Sequence, residues 1–262
     1  MRDLVYPPVI LAVRGTFAAL GLKFRIEGAH NVPHEGGAVI ASNHVSYLDF
    51  TFVGYGTREA GRLVRFMAKD AVFKHPVSGP LMRGMHHIAV DREAGSAAFR
   101  EALGALKSGE LVGVFPEATI SRSFELKEFK AGAARMAQAA GVPIVPTIVW
   151  GGQRIYTKGR PRDFTHRGKA LTVAFGPPLT PAKRDNGDEV TAELHRRMST
   201  LLDRVRNEYP DRPATDDDRW WLPASMGGTA PTLDEATALD EAESAARRAA
   251  RGPDGDSTHA TP

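Results

Sequence analysis

Short apolar runs bounded by turn residues recur along this chain, and helical patterns separate them; no other feature restricts its fold as much. Ala38-Val39-Ile40-Ala41 lies between Gly36-Gly37 and Ser42-Asn43 and predicts a buried strand. Phe24 to Glu27, Leu63 to Ala68, His87 to Val90, Leu111 to Phe115, Ile144 to Trp150 and Leu171 to Phe175 predict further strands. Between them, Phe99, Leu103 and Leu106 are spaced for a helix over Gly95 to Lys107, Ala133 to Ala140 ends at Gly141, and Val190 to Tyr209 is amphipathic and stopped by Pro210. The expected class is α/β, with a mixed, mostly parallel central sheet covered by helices on both faces. In such sheets, ligands bind at the carboxyl ends of the strands.

With 262 residues, 42% of them hydrophobic, the chain can bury one catalytic-size domain and keep some length over for appendages. Cysteine is absent, which excludes disulfides, zinc thiolates, iron–sulfur clusters and a cysteine nucleophile. Charge is unevenly placed. Residues 213–262 hold ten acids against four arginines, a net of −6, which leaves +9 on residues 1–212 of a chain whose total is +3. A basic body favours an anionic partner. Nucleic acid is not expected, since the cations are scattered without interleaved aromatics and no known binding motif is present. The composition of residues 213–262, rich in Pro, Asp, Gly, Ala and Thr, predicts a largely disordered acidic tail after a docked Trp220-Trp221 patch, with a marginal helix over Leu233 to Arg251.

Residues 1–22 form the other appendage, and residues 23–212 the main domain. No stretch reaches the run of about 20 apolar residues that a spanning helix needs. A helix starting at Pro8 places Ile10, Val13, Phe17 and Leu20 on one face, near Arg2, Arg14, Lys23 and Arg25. It is expected to lie on an anionic membrane surface, peripheral or monotopic at the cytoplasmic face; covering the domain's own core is the alternative.

Chemistry concentrates in two segments. Asn43-His44-Val45-Ser46-Tyr47-Leu48-Asp49 follows a buried strand and opens an apolar run, so it should be a strand-to-helix turn with Ser46 at the cap. There the Asp49 carboxylate can accept from one nitrogen of His44, leaving the other unprotonated to act as general base. Alternatively, Asp49 only caps its helix. In Phe115-Pro116-Glu117-Ala118-Thr119-Ile120-Ser121, a strand ends and Glu117, Thr119 and Ser121 project polar groups at an expected pocket. Arg92, after the His87-Ile88-Ala89-Val90 strand, offers a guanidinium suited to phosphate. His86-His87 does not suggest a metal site, because strand neighbours face opposite ways and no further ligands accompany them. A hydrolase built on Ser46 is weakened by the capping role of that hydroxyl.

As an ordered set, these segments resemble the lysophospholipid and glycerolphosphate acyltransferase family. Asn43 to Asp49 is similar to its N-H-x4-D block, Gly84 to Arg92 to its G-x-I-x-V-x-R block with two extra residues, Phe115 to Ser121 to F-P-E-G-T-R-S, and Val142 to Pro146 to V-P-I-x-P. The resemblance covers roughly residues 20–178 and implies transfer of an acyl group from a thioester, acyl-CoA or acyl carrier protein, to a lysophospholipid hydroxyl, 1-acylglycerol-3-phosphate first, in phospholipid biosynthesis. No cofactor beyond the thioester is implied. It gives Glu117 the acceptor's glycerol portion and Arg92 its phosphate, and it matches Lys69 and Lys130 to basic positions. His44 would deprotonate the hydroxyl, with donors at the helix start offsetting the oxyanion. Ala118 and Ile120 depart from the family's glycine and arginine. A missing guanidinium weakens a phosphate by about 1.5–3 kcal/mol unless Arg122 or Arg154 substitutes, so a larger-headed lysolipid or a glycolipid acceptor, or a non-catalytic lipid-binding role, also fits.

Overall fold

The computed structural model describes residues 4–91 and 95–251. Strands β1 (Lys23–Glu27), β2 (Ala38–Ser42), β3 (Val64–Lys69), β4 (Ile88–Val90), β5 (Leu111–Val114), β6 (Ile144–Trp150) and β7 (Ala170–Phe175) form one sheet in the order β1-β7-β6-β2-β5-β3-β4. Every pair is parallel except β6 with β7. The helices are α1 (Tyr6–Ala19), α2 (Asp49–Thr57), α3 (Asp70–Lys74), α4 (Ser78–Gly84), α5 (Gly95–Lys107), α6 (Gly132–Ala140), α7 (Gly187–Glu208) and α8 (Leu233–Arg251). This is the expected α/β architecture. Strands β2, β5, β6 and β7 are buried at every position, which is why they read as continuous apolar runs.

Strand periodicity puts Ala38 and Ile40 on one face, where they meet Val145, Val149, Leu171 and Val173, Phe52 and Val53 of α2, and Phe17 of α1. Helices α5, α6 and α7 pack on the sheet through β5, β2 and β6 respectively.

The face of α1 expected at a membrane points inward instead. Phe17 is buried against Phe24, Phe52 and Tyr55, and Val13 packs on the same cluster. Packing on these aromatics removes the apolar face of the helix from water, so they claim that face. The opposite side is left outward, with Leu11 at 73% exposure, and Leu4 just before the helix is 76% exposed. Helices α3 and α4 were not anticipated. Their Phe73 and Met82 pack with Met85 on Tyr6 of α1, and the Tyr6 hydroxyl donates to the Val64 carbonyl of β3.

Cα packing divides the chain into two units, residues 1–120 with 126–212, and residues 121–125 with 213–262. Within the second, short 3-10 turns cover Asp217–Trp221 and Ala224–Met226, and Trp221 is fully buried. Helix α8 starts with a reciprocal cap, Glu235 N donating to Thr232 Oγ1 at 3.3 Å and Thr232 N to Glu235 Oε2 at 2.8 Å. Arg122 binds Asp240 and Glu243 of α8 at 3.1 and 3.0 Å. Between residues 213 and 251, a buried tryptophan, a capping box and an arginine bridging two carboxylates supply contacts that the composition alone does not announce. Residues 252–262 lie outside the described residues.

Candidate active site

Parallel strands β2 and β5 end side by side, and the two chemical segments leave the sheet at these ends. After Ser42, the backbone turns through His44 to Leu48 before α2 begins at Asp49. Ser46 is not a simple cap. Its hydroxyl donates to Tyr156 O at 2.7 Å and accepts from Leu48 N–H at 3.1 Å, and Thr157 Oγ1 donates to Val45 O at 2.7 Å. The turn is thus stapled to the loop beyond β6, and the Ser46 proton points away from His44.

His44 Nδ1 lies 3.0 Å from Asp49 Oδ2, which also accepts from Val45 N–H and Ser46 N–H, both at 2.7 Å. Asp49 is wholly buried, and the His44 side chain keeps 20% exposure. A buried carboxylate accepting from Nδ1–H leaves Nε2 as the basic nitrogen. Burial pushes the Asp49 carboxyl up from its ordinary range, while the His44 hydrogen bond and charge and the two N–H groups pull it back. The pair that the five-residue spacing anticipated is formed.

Of the donors expected to serve an oxyanion, those from His44 through Asp49 are occupied. His44 N–H goes to Glu117 Oε1, those of Val45 and Ser46 to Asp49, that of Tyr47 to Tyr156 O, that of Leu48 to Ser46 Oγ and that of Asp49 to Ser46 O. A tight turn must satisfy its own backbone first, and this one does so within itself and through Glu117 and Tyr156.

Glu117 follows β5 and is 5% exposed. Its second oxygen accepts from Lys127 N–H at 3.1 Å, so both carboxylate oxygens are bound to main chain and not aimed at an opening. Burial raises it to about 8, against the pull of those two N–H groups. Phe115, two residues earlier, stacks on the imidazole of His44 with centroids 4.1 Å apart and planes 18° apart.

The other expected residues divide. Arg92 lies outside the described residues. Lys69 ends β3 and Lys130 follows the Glu117 turn, where its N–H donates to Pro116 O at 3.0 Å; both side chains are exposed. Thr119 is half-buried in that turn. Ser121 falls in the second unit, fully buried, its hydroxyl donating to Glu125 O at 2.7 Å and lying 3.0 Å from Ser123 Oγ. It orders its own loop. Among the described residues, no group of three or more His, Asp or Glu side chains could hold a metal, and His87 accepts from Phe66 N–H at 3.0 Å through Nδ1.

A sequence model described as Acyltransferase matches residues 23–150. The 1-acyl-sn-glycerol-3-phosphate acyltransferase of Bacillus subtilis is 33% identical over 156 residues, covering 58% of this chain and 73% of that protein. This chain belongs to the acyltransferase family. A further acyltransferase, the 1-acyl-sn-glycerol-3-phosphate enzyme of Limnanthes douglasii, is 32% identical over 163 residues, 61% of this chain and 55% of its own. The fold of this acyltransferase is shared with the 1-acyl-sn-glycerophosphate acyltransferase PlsC of Thermotoga maritima, at a TM-score of 0.66 and 22% identity over 78% of this chain and 80% of that one.

Both departures from the family's F-P-E-G-T-R-S block have structural consequences in this acyltransferase. Ala118 takes a φ of 59°, the left-handed region where a glycine is at ease. Ile120 is 5% exposed, so the position given to arginine elsewhere is apolar interior. Neither proposed substitute is idle: Arg122 is held by Asp240 and Glu243, and Arg154 by Asp211 and the Tyr209 hydroxyl.

Proposed function

We propose that this acyltransferase moves a fatty acyl group from a thioester, acyl-CoA or acyl carrier protein, to the free hydroxyl of 1-acylglycerol-3-phosphate, a step of phospholipid biosynthesis. The observation that carries the reading is the 3.0 Å contact between His44 Nδ1 and buried Asp49, which leaves Nε2 as a base at the partly open edge of the site. Nε2 takes the hydroxyl proton, the oxygen attacks the thioester carbonyl carbon, and the C–S bond breaks as the C–O bond forms. The proton then passes from the imidazolium to the leaving thiolate. Asp49 stabilises the imidazolium between these steps. Thioester and side chains account for every atom, so no further cofactor enters.

A lysolipid acceptor is anchored in a membrane by its tail, and α1 supports docking there. Its outward side carries Pro7, Pro8, Leu11 and Ala12 beside exposed Arg14, and exposed Val72, Val77 and Leu81 belong to α3, α4 and the link between them, which pack on its base. Among the described residues, no helix is long and apolar enough to cross a membrane. The exposed apolar side chains of α1, α3 and α4 support a peripheral enzyme on the membrane surface, and the proposed face is the cytoplasmic one.

A second acceptor class has its own support. With Ile120 buried and Arg122 and Arg154 paired to carboxylates, a lysolipid with a larger head group or a glycolipid loses less here than a bare phosphomonoester would. Thiol release from palmitoyl-CoA tests both points. With lysophosphatidic acid present, His44→Ala and Asp49→Asn should each lower turnover by roughly 10²–10⁴-fold. Wild-type turnover in His44→Ala refutes the mechanism, and an acceptor panel that ranks a glycolipid above lysophosphatidic acid moves the assignment to the second class.

A further inference from the structure

We propose that the Phe115-Pro116-Glu117 turn aims the His44 imidazole, with Phe115 and Glu117 acting as positioning residues through His44 and not as acceptor ligands. The inference rests on the reading of His44 as the base and assigns what holds it.

Asp49 alone does not fix the ring. One hydrogen bond to Nδ1 lets an imidazole pivot about that contact and swing Nε2 through an arc. Phe115 blocks the pivot from one side, its ring lying nearly parallel to the imidazole at 4.1 Å. Phe66 of β3 backs Phe115 in the same orientation, with centroids 6.2 Å apart and planes 13° apart. The stack is therefore anchored in the sheet, since Phe66 itself is buried.

The other end of the residue is held by Glu117. Its Oε1 accepts from the His44 N–H at 2.8 Å, and its Oε2 ties the same carboxylate to Lys127 N–H at 3.1 Å. Pro116 links the two positions, and its carbonyl accepts from Lys130 N–H at 3.0 Å. Ring plane, ring nitrogen and backbone are thus fixed by Phe115, Asp49 and Glu117 in turn. A lysolipid hydroxyl needs an acceptor that faces an opening, and the Glu117 oxygens face two backbone N–H groups.

The experiment uses the full chain with palmitoyl-CoA and lysophosphatidic acid, measuring kcat and acceptor KM for Phe115→Leu, Phe115→Trp and Glu117→Gln. In parallel, nitrogen-15 spectra of the histidine rings report the His44 side chain, assigned by its loss in His44→Ala. Phe115→Leu should lower kcat about 10- to 100-fold, leave acceptor KM within about twofold and move the His44 ring signals. Phe115→Trp, which restores a stacking face, should recover most of kcat. Glu117→Gln should act on kcat in the same sense, and if it does not fold, the two Phe115 variants carry the test. A raised acceptor KM with intact kcat in Glu117→Gln makes that residue an acceptor ligand and overturns the proposal, as do unmoved His44 signals in Phe115→Leu. The ring signals do not depend on turnover. Failure of the acyl-transfer reading is therefore seen separately, as wild-type rates in His44→Ala.

Discussion

The side chain of Asn43 continues the sheet where the backbone of β2 leaves it: Nδ2 donates to Val149 O at 3.0 Å, and Val149 N–H donates to Oδ1 at 2.7 Å. An amide that reproduces both halves of a ladder pair holds the start of the His44 turn against β6. Asn43→Ala leaves both Val149 groups buried without a partner, at about 1–3 kcal/mol each. Urea unfolding should show a loss of about 2–5 kcal/mol with an unchanged slope. A loss under about 1 kcal/mol means that water reaches these groups.

Ala118→Gly should stabilise the protein. An L-residue in the left-handed region costs about 1–2 kcal/mol, and Ala118 sits there at a φ of 59°. Glycine removes that strain and returns part of it as unfolded-chain entropy, for a net gain of about 1 kcal/mol. Thermal melting reads this as a rise of a few degrees. A fall would show that the Ala118 methyl contributes packing larger than its strain.

Stability should respond to pH through two buried groups of opposite sign. Burial raises Glu117 from 4.5 to about 8, so the folded chain binds this proton more tightly than the unfolded one. Its contribution is complete below about 4.5 and lost as pH rises through about 8. Burial, followed by the charges of Arg65 and His86, lowers His87 from 6.5 to about 4. That contribution is present above 6.5 and lost as pH falls through about 4. At about 1.4 kcal/mol per pKa unit, the two are worth on the order of 5 and 3 kcal/mol. Unfolding curves for Glu117→Gln should lack the alkaline loss. Those for His87→Gln, which keeps an acceptor for Phe66 N–H, should lack the acid loss. Variants that retain the wild-type pH slopes would return both groups to ordinary titration.

Leu11 separates membrane docking from folding. At 73% exposure it contributes little to the core, so Leu11→Glu should leave the melting temperature within a degree or two. On vesicles containing anionic lipid, loss of a buried leucine worth about 1.5–3 kcal/mol should weaken binding at least about tenfold. Equal co-sedimentation of variant and wild type would remove α1 from the docking surface.

Read from residues alone, the strands, most long helices, the α/β class and the His44–Asp49 pair were all accessible, because each is written over a few neighbouring positions. Continuous apolar runs announce strands buried on both faces, and a five-residue interval across a strand-to-helix turn brings an imidazole back to a carboxylate. Even α8, judged marginal from its composition, carried its signal in Thr232 and Glu235, three positions apart.

What the tertiary structure alone decided involves partners far apart in the chain. The strand order β1-β7-β6-β2-β5-β3-β4, the inward turn of Phe17 onto Phe24 and Phe52, and the commitment of Glu117 to His44 and Lys127 all depend on which surfaces meet after collapse. Periodicity says that a helix has an apolar face and a motif says that a carboxylate is present. Neither says what stands opposite, since that is settled by competition among all the surfaces that folding removes from water.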